Sequence, residues 1–117
     1  MWGQEPAGSE ASTENTMGTV AGVIEFKAKA GQGVEVARLI AAALPHVEQE
    51  SGTPIWLVLH SNADPDTVFL VDLFTGAAGR DTHMNGEAAK LIFATVPPLL
   101  EASPVIHPAD LIARKGG

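Results

Sequence analysis

Ile55-Trp56-Leu57-Val58-Leu59-His60-Ser61 and Thr67-Val68-Phe69-Leu70-Val71-Asp72-Leu73-Phe74 flank the turn Asn62-Ala63-Asp64-Pro65-Asp66. The turn is dense in Asn, Asp and Pro, which favour chain reversal. The flanking runs are β-branched and aromatic, so the whole reads as a hairpin. Side chains alternate between the faces of a strand. Ile55, Leu57 and Leu59 therefore point one way, and Trp56, Val58 and His60 the other. Val68, Leu70, Asp72 and Phe74 share a face; Phe69, Val71 and Leu73 share the opposite one. Both faces are apolar, whereas a sheet with one face in water alternates more cleanly. The hairpin predicts cover on both sides.

Toward the N-terminus, Val34 to Glu50 carries Val36, Leu39, Ile40, Ala43, Leu44 and Val47 on one helical stripe. Pro45 interrupts it by removing a hydrogen bond to Ala41, which predicts a kink or a split. Upstream, Gly18 to Ala30 holds a strand with Val20, Ile24 and Phe26 on one face. Gly22 leaves a gap on that face, a common sign that another group approaches closely.

Toward the C-terminus, Gly76 to Thr82 reads as one or two helical turns. Asn85 is placed to cap the next helix, whose stripe is Ala88, Leu91, Ile92 and Val96. Pro97-Pro98 ends it. Val105 to Ala113 reads as a last strand, and Pro108 suits an edge position. The order is β-α-β-β-α-β. The expected fold is α+β and ferredoxin-like, an antiparallel four-stranded sheet with helices on one face. A second copy, packed sheet to sheet, is the simplest cover for the other face.

Residues 1–17 contain Glu5, Glu10 and Glu14 and no basic residue, with much Gly, Ser and Thr. Such a stretch buries too little apolar surface to offset its ordering entropy, so it is expected to be a disordered tail. The folded domain is expected over 18–115. Trp2 reads as a stray aromatic, and Met17 as a second place where a product could start.

The chain has 117 residues, one domain's worth. It has no cysteine, so neither a disulfide nor a thiolate metal site is available, and a cytoplasmic location fits. The formal net charge of -7 opposes binding to nucleic acid or an anionic membrane. No run of about eighteen apolar residues exists to span a bilayer, and the first residues lack a secretory pattern. The four histidines are scattered, with no spacing typical of metal ligands.

Four segments together resemble the antibiotic biosynthesis monooxygenase superfamily. They are Phe26-Lys27-Ala28-Lys29-Ala30-Gly31, Gln49-Glu50-Ser51-Gly52-Thr53, Asp64-Pro65-Asp66 leading into Phe69 to Phe74, and Thr82-His83-Met84-Asn85. The resemblance runs from about Val20 to Ala113. It implies a homodimer, the dimeric α/β barrel, with a pocket between sheet and helices in each chain. It also implies a small aromatic or quinol-type metabolite, molecular oxygen as co-substrate, and no metal or bound flavin as cofactor. Members commonly carry Glu-x-Trp at the end of the third strand; here Asp72-Leu73-Phe74 stands there. The first strand lacks the Asn of the haem-degrading and anthrone-oxidising relatives, so only His83 remains of their Asn, Trp and His set.

His83 is the first candidate for a catalytic group, since imidazole exchanges protons near neutral pH. Asp72, on an apolar strand face, is the second. Burial would raise its pKa and make it a base; an ion pair with Arg80, Lys27 or Arg38 is the other reading. Candidate substrate contacts are Trp56, His60, Phe74, Arg80 and Asn85. Trp56 could stack a flat substrate on the open sheet face or pack in a dimer interface. Arg80 could hold an anion or stay solvated. Asn62 and Asn85 could donate to an oxyanion or serve turn and cap. The function expected is a cofactor-independent monooxygenase. The alternatives are a non-catalytic ligand-binding or accessory module, and a non-oxidative isomerase or cyclase.

Overall fold

The computed structural model describes residues 20–116. The expected tail over 1–17, with Trp2 and Met17, lies outside the described residues.

The elements are β1 (Val20–Lys27), α1 (Gly33–Ala41), α2 (Leu44–Val47), β2 (Ile55–His60), β3 (Thr67–Phe74), α3 (Ala77–Met84), α4 (Glu87–Thr95) and β4 (Val105–Asp110). A 3₁₀ turn at Pro97–Leu99 follows α4. The four strands form one sheet in the order β2-β3-β1-β4, and all three pairings are antiparallel. This is the ferredoxin-like arrangement that the sequence predicts.

The predicted break at Pro45 is a true split. α1 ends at Ala41 and α2 restarts at Leu44, with Pro45 in its first turn, where a missing N–H costs nothing. Pro108 lies in β4 at the sheet edge, as its chemistry requires. One expectation is corrected. Asn85 does not cap the helix after it, which begins from Gly86 without a side-chain cap. It ends α3 instead, and its side-chain N–H donates to the Asp81 carbonyl at 2.9 Å.

The helices cover the face that carries Phe26, Val68 and Leu70. Val36 and Ile40 from α1, Val47 from α2, Ala88 and Ile92 from α4, and Val96 complete the core there. Burying the Val, Leu, Ile and Phe side chains among them stabilises by roughly 1.5–3 kcal/mol each. The hairpin turn is tied to the start of α1, where the Asp66 carboxylate accepts from the N–H groups of Gly31 and Gly33. Lys27 pairs with Asp64 nearby. On the opposite sheet face Leu57, Leu59 and Val105 stay about half exposed, at 48, 47 and 49%.

Candidate functional site

Register places Asp72 at the centre of a row across the sheet, between Trp56 of β2 and Gly22 of β1, with Pro108 of β4 beyond. These residues all look toward the helices. Gly22 is what admits the carboxylate, since a Cβ at that position would come within 2.8 Å of Asp72 Oδ1. The gap expected at Gly22 is therefore occupied by Asp72.

The other side of Asp72 meets His83, in the last turn of α3. His83 is 4% exposed and Asp72 2%. His83 Nε2 stands 3.6 Å from Asp72 Oδ2, just outside hydrogen-bond reach. His83 Nδ1 lies 2.6 Å from Glu50 Oε1. An ionised carboxylate can only accept, so Nδ1 carries the proton and Nε2 turns its lone pair toward Asp72. The Thr53 hydroxyl donates to the same Glu50 oxygen at 3.1 Å. Thr75 N–H donates to the Gly52 carbonyl at 3.0 Å, tying the loop that carries Glu50 to the end of β3. The Phe74 ring tilts against the imidazole at a centroid distance of 5.4 Å.

Burial pushes the Asp72 carboxyl up to about 6; the neighbouring His83 opposes that rise and Glu50 adds to it. The ion pairs considered for Asp72 are not made with Lys27 or Arg38, which pair with Asp64 and Glu35. Nor is one made with Arg80, which borders the same cavity as Asp72 without pairing with it. That cavity has a volume of about 210 Å³ and is walled by Asp72, Gly22, Phe74, Arg80, Met84 and Pro108, among others. A narrower chamber of about 30 Å³, bordered by His83, Met84, Phe93 and Ile106, adjoins it. The imidazole nitrogens face opposite carboxylates, and among the described residues no group of His, Asp and Glu is placed to hold a metal ion.

The structure thus brings together His83, Asp72, Phe74 and Arg80. The other three candidates lie elsewhere. His60 sits at the hairpin end, its Nε2 2.7 Å from the Pro65 carbonyl. Asn85 serves the end of α3. Trp56 is on the helix-covered face, not the open one, and borders a separate cleft with Glu50 and Thr53. Its buried indole N–H has no hydrogen-bond partner among the described residues. Glu50 is the residue that sequence reading passed over. Its signal was the acidic residue before Ser51-Gly52-Thr53, read only as a helix exit.

Comparison with solved structures finds the same ferredoxin-like fold in antibiotic biosynthesis monooxygenase structures. A crystal structure titled antibiotic biosynthesis monooxygenase superposes with a TM-score of 0.71 at 13% identity, over 80% of this chain and 99% of that one. The SO0527 protein from Shewanella oneidensis gives a TM-score of 0.74 at 24% identity, over 83% and 95%. The NE2512 protein from Nitrosomonas europaea, described as of unknown function, gives 0.78 at 35% identity, over 87% of this chain and 97% of that chain. The chain belongs to the family of the NE2512 protein, and its fold is that of the monooxygenase superfamily. No family model matches the sequence, and no curated protein does. No helix among the described residues is long and apolar enough to cross a membrane.

Proposed function

We propose that the protein is a cofactor-independent monooxygenase that deprotonates a small aromatic or quinol-type metabolite and lets the resulting anion react with molecular oxygen. One observation carries the reading: a buried carboxylate, Asp72, is raised to about 6 at the wall of an apolar cavity, with His83 behind it. A base with a pKa near the working pH combines a useful ionised fraction with proton affinity. The volume of about 210 Å³ lies below the roughly 300 Å³ at which ligand pockets commonly start, which restricts the site to a small substrate.

For a substrate with an activated CH₂ group the balance is R₂CH₂ + O₂ → R₂C=O + H₂O. Asp72 accepts a proton from carbon. The carbanion passes one electron to oxygen, and the radical pair joins through a new C–O bond. Loss of the second C–H proton then breaks the O–O bond, and hydroxide leaves with a proton as water. The substrate supplies both electron pairs, so no external reductant enters. The protein supplies orientation, the base and a cavity with little water.

Phe74 walls the cavity and the half-exposed Phe93 the chamber beside it, and neither fills the space, which favours an enzyme over a plugged binding module. Arg80 in the same wall favours a second reading, since a guanidinium can hold an enolate during isomerisation or cyclisation without oxygen. The exposed apolar face of the sheet supports a homodimer formed sheet to sheet.

Oxygen uptake with an anthrone and a naphthohydroquinone, followed by product mass, tests the proposal. A product with one more oxygen and two fewer hydrogens is expected. An isomer of unchanged mass points to the second reading, and no turnover across a broad panel by folded protein overturns both.

A further inference from the structure

We infer that Glu50 is the outer end of a proton relay, Asp72–His83–Glu50, which joins the apolar cavity to a second cleft on the far side of the helix-covered sheet face. This deepens the proposed function, on which its role in turnover rests. The second cleft has a volume of about 280 Å³ and is bordered by Leu44, Val47, Glu48, Glu50, Thr53 and Trp56. It shares no lining residue with the cavity that holds Asp72. The cavity lies over β1 and β4, the cleft beside β2, and β3 with Asp72 runs between them.

His83 bridges the two. Its nitrogens stand 2.6 Å from Glu50 and 3.6 Å from Asp72, on opposite sides of the ring. A histidine kept only for packing needs one partner. Placing a second buried carboxylate beside it incurs a desolvation cost that packing does not explain. An imidazole that accepts a proton at one nitrogen and releases one from the other is a conductor. Thr53 holds Glu50 Oε1 in place for that transfer. Two further charged groups face the ends, Arg80 in the cavity wall and Glu48 at the cleft.

The steps balance in protons. Asp72 takes a proton from the substrate and passes one from Oδ2 to His83 Nε2. His83 gives its Nδ1 proton to Glu50 Oε1, which exchanges it with water in the cleft. The departing oxygen later draws a proton back along the same path, restoring Nδ1–H. A substrate can then seal the cavity from water while the base stays in protonic contact with solvent. Catalytic hydrogen bonds are often long before substrate binds and tighten in the complex, so the 3.6 Å separation is compatible with transfer.

The relay is tested without any substrate, by the exchange rate of the His83 ring proton with solvent, read by nitrogen-15 NMR on the full chain. Glu50→Gln keeps the acceptor and its length but cannot carry a proton, and is expected to slow exchange at least about tenfold. Glu50→Asp keeps an ionisable group in poorer geometry and is expected to slow it less. Asp72→Asn cuts only the cavity end and is expected to leave exchange near the wild-type rate. Unchanged exchange in Glu50→Gln, a larger loss in Glu50→Asp than in Glu50→Gln, or lost exchange in Asp72→Asn each overturns the relay. Oxygen uptake with an anthrone on the same proteins reads its use in turnover, where Glu50→Gln is expected to lower kcat about a hundredfold with KM unchanged. No uptake by wild-type protein, with the exchange results as expected, refutes the monooxygenase reading and leaves the His83–Glu50 end of the relay standing.

Discussion

The carboxylate of Asp72 fills the space that a side chain on Gly22 would need: a Cβ there would stand 2.8 Å from Asp72 Oδ1. The two residues are directly opposite in the β1–β3 register. Backbone spacing in a paired sheet cannot open to relieve such a contact. Gly22→Ala is therefore expected to destabilise by about 1–3 kcal/mol, through overpacking and displacement of the carboxylate. Asp72→Ala in the same chain should recover most of that loss. Chemical denaturation of the two single variants and the double variant measures the coupling; additive losses would show that the contact does not matter.

Asp72 also makes stability depend on pH. Its folded-state value of about 6 lies above the ordinary carboxylate value of about 3.9. The folded chain therefore binds more protons than the unfolded one between these values, and stability falls as pH rises through the window. Asp72→Asn is expected to flatten this slope and to stabilise the protein at pH 7 by about 1–3 kcal/mol. Melting curves from about pH 4 to pH 8 check it, and an unaltered slope would remove Asp72 as its source.

When protonated, His83 lowers the Asp72 pKa, whereas the Glu50 carboxylate raises it. Removing the imidazole leaves two buried carboxylates facing an empty space. His83→Ala should cost about 2–5 kcal/mol at pH 7. The loss should be smaller at pH 5, where Asp72 can take up a proton. Urea denaturation at the two pH values reads both numbers. Equal losses would mean that His83 contributes packing alone.

The uncovered sheet face predicts association. Leu57 and Leu59 stand about half exposed on it, beside Val71 and Phe69 across the β2–β3 pairing. Leu57→Lys with Leu59→Lys is expected to leave a folded monomer where the wild type sediments as a dimer, because two charges there would be buried without partners. A wild-type chain that sediments as a monomer would rule out the sheet-to-sheet dimer.

Much of this architecture was legible along the chain. The hairpin at residues 55–74 follows from period-two alternation and a turn rich in Asp and Pro. The helix break follows from Pro45, and the edge position of β4 from Pro108. These are local effects, governed by backbone sterics and missing donors. Within the site, the gap at Gly22 and the burial of Asp72 followed from strand faces, since register on a sheet repeats every two residues.

Glu50 could not be found that way. It lies 33 residues before His83, in a loop after a broken helix, and its place before Ser51-Gly52-Thr53 reads as a helix exit, with nothing to say which distant side chain it meets. Trp56 misled for a related reason: alternation says which residues share a face, but not which face the helices cover. By itself the sequence determined the elements, their order and an apolar face on each side of the sheet. Only the tertiary structure decided which carboxylates meet His83 and where Trp56 points, because those contacts depend on how separate segments pack rather than on any local rule.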